Sequence, residues 1–394
     1  MSVADRTAGP RTRVAVVTNI PTPYRIPVYD LLSDVRDFDV RVFYFAEREF
    51  DREWVLQHPR VESVVLPSTT IHWRGRDIHF SRGVWKQLNR FRPDVVLTNG
   101  FNPALLVAFA WAVVHGVRHV AQTDGTPDLE RRLGTVHRVV RRVVSRRSAT
   151  TIAASRAGLE LLTRWGARPE TRFLSALAVD NTRFRTDPLA ERDLDVLVSG
   201  RLDDRKNPLF ALQAAADAAE RLGRRLTVAM LGDGPLRPEV EAFGRAHTDH
   251  IELMLPGFLQ QDELPGWYRR ARTFLFPTRE DAWGLVVNEA AAAGVPQLVS
   301  VEAGAKELVS EGESGHVLPL EHDAWVDALV AVLRDESGRV EMGRAAVRAV
   351  APYTYEAAAR GLEDAIRMAG VDTRRGRPAR GNGAQRFGSA SARS

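Results

Sequence analysis

Three short segments in the second half of the chain combine cations, glycines and paired acids at spacings suited to an anionic, hydroxyl-rich ligand. In SGRLDDRKNP (Ser199–Pro208), Gly200 permits a tight turn, and Arg201 and Lys206 precede a helix opening at Asn207–Pro208. Arginine offers planar multidentate bonds and lysine a point charge, so this pair at a helix entrance suits a diphosphate. The plainer reading is a capped turn with solvated charges. LGDGP (Leu231–Pro235) places Gly232 and Gly234 where backbone N–H groups can approach a phosphate or a base beside a helix dipole. Arg237 stands where a dinucleotide fingerprint would have its third glycine, and an ordinary strand–helix turn would look the same. The third segment, PTREDAWGLVVNEAAAAGVPQLVS (Pro277–Ser300), is the most specific. Glu280 and Asp281 follow a strand, Gly284 and Leu285 open a helix, and that helix carries Glu289. Asp281 and Glu289 lie eight residues apart, so one carboxylate can sit in the loop and the other along the helix. Ionised carboxylates accept several hydrogen bonds at once, which suits vicinal hydroxyls. Either acid alone fits an N-cap or a surface position; the whole string fits that poorly.

The first half offers fewer candidates. IPTPYRIP (Ile20–Pro27) follows the first strand; its three prolines stiffen the loop, and Tyr24 and Arg25 are expected to project toward an acceptor or a phosphate. QTDGTPD (Gln122–Asp128) ends another strand with Asp124, for which a turn-forming role before glycine is an equal alternative. The chain has no cysteine, which excludes disulfides and thiolate chemistry, and its ten histidines show no metal spacing. The Asp-x-Asp pairs, Asp37/Asp39 and Asp193/Asp195, fall at strand starts, the wrong end for catalysis. Neither a bound metal nor a cofactor is expected.

These segments need a frame that brings strand ends together. Arg13–Thr18, Val40–Phe45, Val61–Leu66, Asp94–Thr98 and Arg118–Gln122 read as buried parallel strands, with a helix at Pro103–Val114 behind an Asn102 cap. A second series, Asp195–Ser199, Leu226–Leu231, Ile251–Leu255, Thr273–Phe276 and Gln297–Ser300, alternates with helices near 208–222, 235–246, 283–293 and 322–334. The prediction is an α/β chain of two Rossmann-like domains. The expected boundaries are 13–185 and 186–352, then a closing helix within 353–371. Residues 1–12 and the basic tail 372–394 are expected to be disordered.

The third segment resembles the signature of retaining GT-B glycosyltransferases of family 4, in which two acids flank seven residues, and GAKELVSEGESGHVLP (Gly304–Pro319) is similar to the stretch that follows it. The resemblance implies two domains facing a cleft, with the C-terminal helix crossing back to the first. It implies transfer of a sugar, with retention, from a nucleoside diphosphate to an acceptor hydroxyl. Arg201 and Lys206 would neutralise the diphosphate, Asp281 would hold the transferred sugar with Glu280 as its rival, and Glu289 would bind the ribose. Gly200, Gly232, Gly234, Gly284 and Leu285 would complete the donor site, with Phe258 in the loop PGFL (Pro256–Leu259) that reads the base. Asp124 resembles the family's acceptor-side polar residue. The family's usual first Glu is Asp here, and the Gly pair that many relatives carry after the first strand is replaced by Ile20–Pro27. Other readings are a nucleotide-sugar epimerase or hydrolase of the same fold, or a non-catalytic nucleotide-sugar-binding protein.

The net charge is +5. Leu129–Ser148 reads as one basic helix with an apolar set at Leu133, Val136, Val139, Val140, Val143 and Val144. That set can face the core or an anionic membrane, the second choice favouring a lipid-linked acceptor. No apolar run reaches the ~18–20 residues of a membrane span, and MSVADRTAGPRTR lacks an apolar signal core. A cytoplasmic protein is therefore expected, with peripheral contact on the inner membrane face as an option. No nucleic-acid module is visible.

Overall fold

Short runs rich in Val, Ile, Leu and Phe, closed by Gly, Asn or Pro, form two parallel sheets in this computed structural model, which describes residues 11–47, 58–73, 76–81, 83–131, 133–187 and 190–371. In the first half the strands are β1 (Thr12–Thr18), β2 (Phe38–Tyr44), β3 (Glu62–Val65), the hairpin β4 (Thr69–Trp73) with β5 (Arg76–Phe80), β6 (Val95–Asn99), β7 (Arg118–Thr123), β8 (Thr150–Ala153) and β9 (Arg172–Leu174). All but the hairpin pair in the order β3-β2-β1-β6-β7-β8-β9. The second half contributes β10 (Leu194–Ser199), β11 (Leu226–Leu231), β12 (Ile251–Gly257), β13 (Ala271–Phe276), β14 (Gln297–Ser300) and β15 (Gly315–Leu318), in the order β12-β11-β10-β13-β14-β15. This is a doubly wound order, with the reversal beside β10, and ligands in such sheets bind outside the strands' carboxyl ends at that reversal.

Both sheets are covered on both faces, which is why their central strands are almost wholly apolar. Val14, Ala15, Val16 and Val17 are all at 0% exposure. Val14 and Val16 face a layer that includes Tyr29, while Ala15 and Val17 face Leu105 and Trp111 of the Pro103–Val114 helix. The closing helix Tyr355–Val371 returns from the second half to the first sheet. Leu362, Ala365 and Ile366 pack with Val14, Val120 and Ile152, and Thr150 donates to the Ala365 carbonyl at 3.0 Å. The halves are thus stitched by a helix that belongs to the first core but follows the second in sequence.

The structure corrects several expectations. The first strand already begins at Thr12, inside the stretch expected to be disordered; the rest of that stretch, through residue 10, and the tail from 372 lie outside the described residues. Leu129–Ser148 is not one helix. A short helix, Pro127–Arg131, ends before Gly134, which caps a second one, Thr135–Arg147; Arg132 lies outside the described residues. Glycine's cost within a helix and its ease as a cap explain the break. The strands β4, β5, β8, β9 and β15 were not expected: β8 opens on two threonines, β9 has three residues and β15 opens on glycine, so none of these three stands out as an apolar run.

Candidate active site

The strands β10 and β13 are neighbours, so the loops leaving Ser199 and Phe276 run side by side. Lys206 is held by a turn in which its N–H donates to the Asp203 carboxylate at 2.9 Å. Its side chain crosses the Phe276 ring, Nζ standing 4.7 Å from the centroid, and ends in an ion pair with Asp281. Both partners are mostly shielded, at 16% and 17% exposure. Asp281 is fixed from two further directions. Its Oδ1 accepts from the Trp283 N–H at 3.1 Å, and its carbonyl accepts from Gly304 N–H at 3.0 Å. Of the two adjacent acids, Asp281 is therefore the one joined to Lys206; Glu280 is half-buried, its carbonyl accepting from the Thr278 hydroxyl at 3.1 Å. Arg201 is more open and lies 3.7 Å from Asp203. The site thus offers an anion an exposed guanidinium and an ammonium that already has a counter-ion.

The glycines have a local cause as well. Gly232 has φ +130°, and a Cβ there would sit 2.1 Å from the Gly200 carbonyl oxygen. Its N–H donates to Gly257 at 2.8 Å, while Gly200 N–H donates to Leu231 at 2.9 Å. The three loops after β10, β11 and β12 are thereby laced together, and a Cβ on Gly234 would sit 2.4 Å from the Leu202 carbonyl oxygen. Gly284, at φ +101°, starts the Leu285–Ala292 helix; a Cβ there would meet the Phe276 ring at 2.6 Å. The helix can thus begin directly against the ring that carries Lys206. Leu285 is partly buried against the same core, and Phe258 stands half-exposed beyond β12.

Glu289 is on that helix, but its carboxylate is buried and accepts from the Tyr268 hydroxyl at 2.7 Å. Tyr268 is itself fully buried and also bonded to Ser199, the last residue of β10. Burial drives the Glu289 carboxyl up to about 7, the Tyr268 bond and the Arg183 charge offsetting only part of the cost. Tyr268 was not singled out in the sequence, where GWYRR offers no spacing cue.

Across the cleft, Arg25 and Asp124, flagged separately, form one ion pair with Nη2 to Oδ1 at 2.6 Å. Arg25 does not project into open space as expected. It is 4% exposed, at the start of the Ile26–Ser33 helix, and Asp124 holds its charge against the desolvation of burial. With its amide turned to accept, Gln122 takes a second bond from Arg25 Nη1 at 2.9 Å. Tyr24 packs against a core shared with Trp283 and Tyr268 of the second half, so the proline-rich loop does reach the junction.

Contacts between the halves involve residues the sequence did not flag. Glu307, in the stretch after β14, accepts from the backbone N–H groups of Arg156 at 3.0 Å and Ala157 at 3.4 Å, capping the Arg156–Arg164 helix of the first half. The Tyr353 hydroxyl donates to the same carboxylate at 3.2 Å. Lys306 lies 3.6 Å from Asp128. The Asp-x-Asp pair at the start of β10 is structural: Asp195 binds Arg224 and Arg272, each at 2.8–2.9 Å, and Asp193 binds Arg270 at 2.8 Å. Among the described residues no group of three or more His, Asp or Glu is placed to hold a metal.

Comparison with known proteins fits this layout. The model of the family "Glycosyl transferases group 1" matches residues 180–349, and that of the "Glycosyl transferase 4-like domain" matches residues 28–175. A D-inositol 3-phosphate glycosyltransferase of Frankia alni is 31% identical over 230 residues, 53% of this chain and 56% of that one. The match therefore spans only about half the length of that relative. A GDP-mannose-dependent alpha-(1-6)-phosphatidylinositol monomannoside mannosyltransferase of Mycobacterium tuberculosis is 27% identical over 79% of this chain and 83% of its own. The crystal structure of Anabaena Alr3699/HepE in complex with UDP superposes with a TM-score of 0.73 at 17% identity, covering 90% of this chain and all of that one. Sucrose-phosphate synthase from Thermosynechococcus elongatus gives 0.69 at 16% identity over 92% of this chain and all of its own.

Proposed function

We propose that this chain, which belongs to the group 1 glycosyltransferases, moves a sugar from a nucleoside diphosphate to an acceptor hydroxyl with retention of configuration and without a bound metal. The observation that carries the reading is the Lys206–Asp281 pair beside Arg201 at the sheet's reversal point. A donor diphosphate entering there takes Arg201 directly and draws Lys206 away from Asp281, freeing that carboxylate to accept from hydroxyls of the transferred sugar. Charge growing on the leaving phosphate is then met by preset cations, the usual source of the largest rate term. Retention follows from attack on the face the phosphate leaves, with a phosphate oxygen taking the acceptor's proton. Glu289 has one oxygen engaged by Tyr268 and offers its remaining lone pairs to the ribose. Phe258 and its loop meet the base, and Asp124, oriented by Arg25, faces the acceptor.

The finer setting is also a proposal: a cytoplasmic enzyme of envelope polysaccharide or glycolipid synthesis, acting on a lipid-linked acceptor at the inner membrane face. It is favoured by the relative named for a phosphatidylinositol mannoside and by the basic helix 135–147. No helix among the described residues is long and apolar enough to cross a membrane, so contact would be peripheral. The test is a thermal-shift screen with uridine, guanosine, adenosine and thymidine diphosphate sugars. A donor at ~100 times its dissociation constant stabilises by ~2.7 kcal/mol. No shift with any of them would sink the reading.

A further inference from the structure

The Thr135–Arg147 helix shows an apolar stripe to solvent. Val136, Val139 and Val143 are 74%, 52% and 44% exposed, whereas Val144 alone of the helix's valines is buried. At 3.6 residues per turn Val136, Val139, Val140, Val143 and Arg147 share an arc of about 100°, with Arg138, Arg142 and Arg146 exposed beside it. The sequence left open which way these valines face; three of them turn outward. At the helix's C-terminal end lies a depression of about 600 Å³ whose lining includes Arg118, Arg147, Val113, Met368 and Arg168, the last lying 3.8 Å from the one carboxylate there, Glu170. Val113, neighbouring Val114 and Met368 are also exposed. The depression opens where β7, β8 and β9 begin, at the edge of the sheet opposite the strand ends that carry Asp124.

We infer that this face is a docking surface for anionic lipid, the valine stripe entering the acyl boundary and the arginines of the depression receiving a lipid phosphate. The match is chemical: an apolar stripe flanked by Arg138, Arg142 and Arg146 complements an acyl layer beneath negative headgroups, and in the hollow three arginines outnumber the single carboxylate of Glu170, leaving a net positive site for a phosphate. A core-facing role for the stripe is ruled out by its exposure. The inference rests on the membrane setting proposed above, which it narrows to one surface and one lipid charge, and does not depend on donor chemistry.

The test is co-sedimentation of the full chain with phosphatidylcholine vesicles, with and without phosphatidylglycerol, at low and high salt. The wild type is expected to sediment only with the anionic vesicles and to be released by salt. Val136→Ser/Val139→Ser/Val143→Ser and Arg147→Ala/Arg168→Ala should each weaken partitioning at least ~10-fold while the melting temperature stays unchanged, since all five side chains are exposed. A wild type that stays in the supernatant, or variants that sediment as it does, would overturn the inference. So would retention on DNA without vesicle binding. The same sample, read in the donor thermal-shift screen, separates this failure from failure of the transferase reading.

Discussion

Glu289→Gln should make the fold more stable at high pH while weakening donor binding, because the native carboxylate is held where its charge is costly. It is buried, with Tyr268 as its hydrogen-bond donor, and its carboxyl rises from the usual 4.5 to about 7. Between those values the folded chain keeps a proton that the unfolded chain has lost. Stability therefore falls as pH rises through that window, being fully present below the unfolded value and lost above about 7. At ~1.36 kcal/mol per tenfold change in proton affinity, the ionised fold bears a penalty of about 3 kcal/mol. Glutamine imitates the protonated acid, and its amide oxygen can still accept from Tyr268. Urea denaturation at pH 5 and pH 8 checks this. The variant should match the wild type at the lower pH and exceed it by about 2–3 kcal/mol at the higher. Donor affinity should fall ~10–100-fold at pH 8, the worth of a hydrogen bond to a charged acceptor, and the wild type's own affinity should rise with pH through 7. A variant less stable than wild type at pH 8, or one with an unchanged pH profile, would refute the argument.

Lys206→Ala and Arg201→Ala should each lower turnover at least ~100-fold, as for the loss of one transition-state contact of ~2.7 kcal/mol. Arg201→Ala should leave stability near wild type, whereas Lys206→Ala leaves Asp281, 17% exposed, without its counter-ion and should cost about 1–3 kcal/mol in urea unfolding; near-normal rates in both would remove the diphosphate assignment. The Arg25–Asp124 pair should respond asymmetrically. Asp124→Asn leaves a guanidinium that is 4% exposed without its counter-ion and should cost about 3–5 kcal/mol. Arg25→Met leaves an aspartate that is 35% exposed and can turn to water, so about 1 kcal/mol is expected. Equal losses in urea unfolding would contradict the burial argument.

What the sequence made legible follows from where information is local. β10, β11 and β13 each end in an apolar run broken by Gly or Pro, so the loops carrying Gly200, Gly232 and Asp281 could be assigned to one end of a sheet before any fold was known. The closing helix was legible through its period. What stayed hidden depends on contacts between distant segments. Tyr268 reaches Glu289 across two packed helices, and nothing in its neighbours marks it. Arg25 and Asp124 are ninety-nine positions apart, and only the adjacency of β1, β6 and β7 brings their loops together. Glu307 caps a helix of the other half, a role that looks like an ordinary loop acid when read in order. Period alone could not orient the valines of 135–147 either, since an apolar stripe records a face and not its neighbour.

This difference changes the chemical picture and not just its detail. Read in order, Lys206, Asp281, Arg25, Asp124 and Glu289 are five separate groups waiting for a ligand. In the fold each already has a partner: Lys206 with Asp281, Arg25 with Asp124, Glu289 with Tyr268. Under the proposed function, donor binding would be an exchange of partners at Lys206 and Asp281, while the other two pairs persist. Its net gain is smaller than the sum of the new contacts, because the old ones are surrendered. In the proposed reaction the exchange would have a catalytic use. Lys206 and Asp281 compensate each other as an ion pair, and in the proposed reaction the diphosphate would separate them, turning one toward the leaving group and the other toward the sugar. A site poised in this way keeps its charges compensated when empty and deploys them in the complex, where the developing phosphate charge needs them.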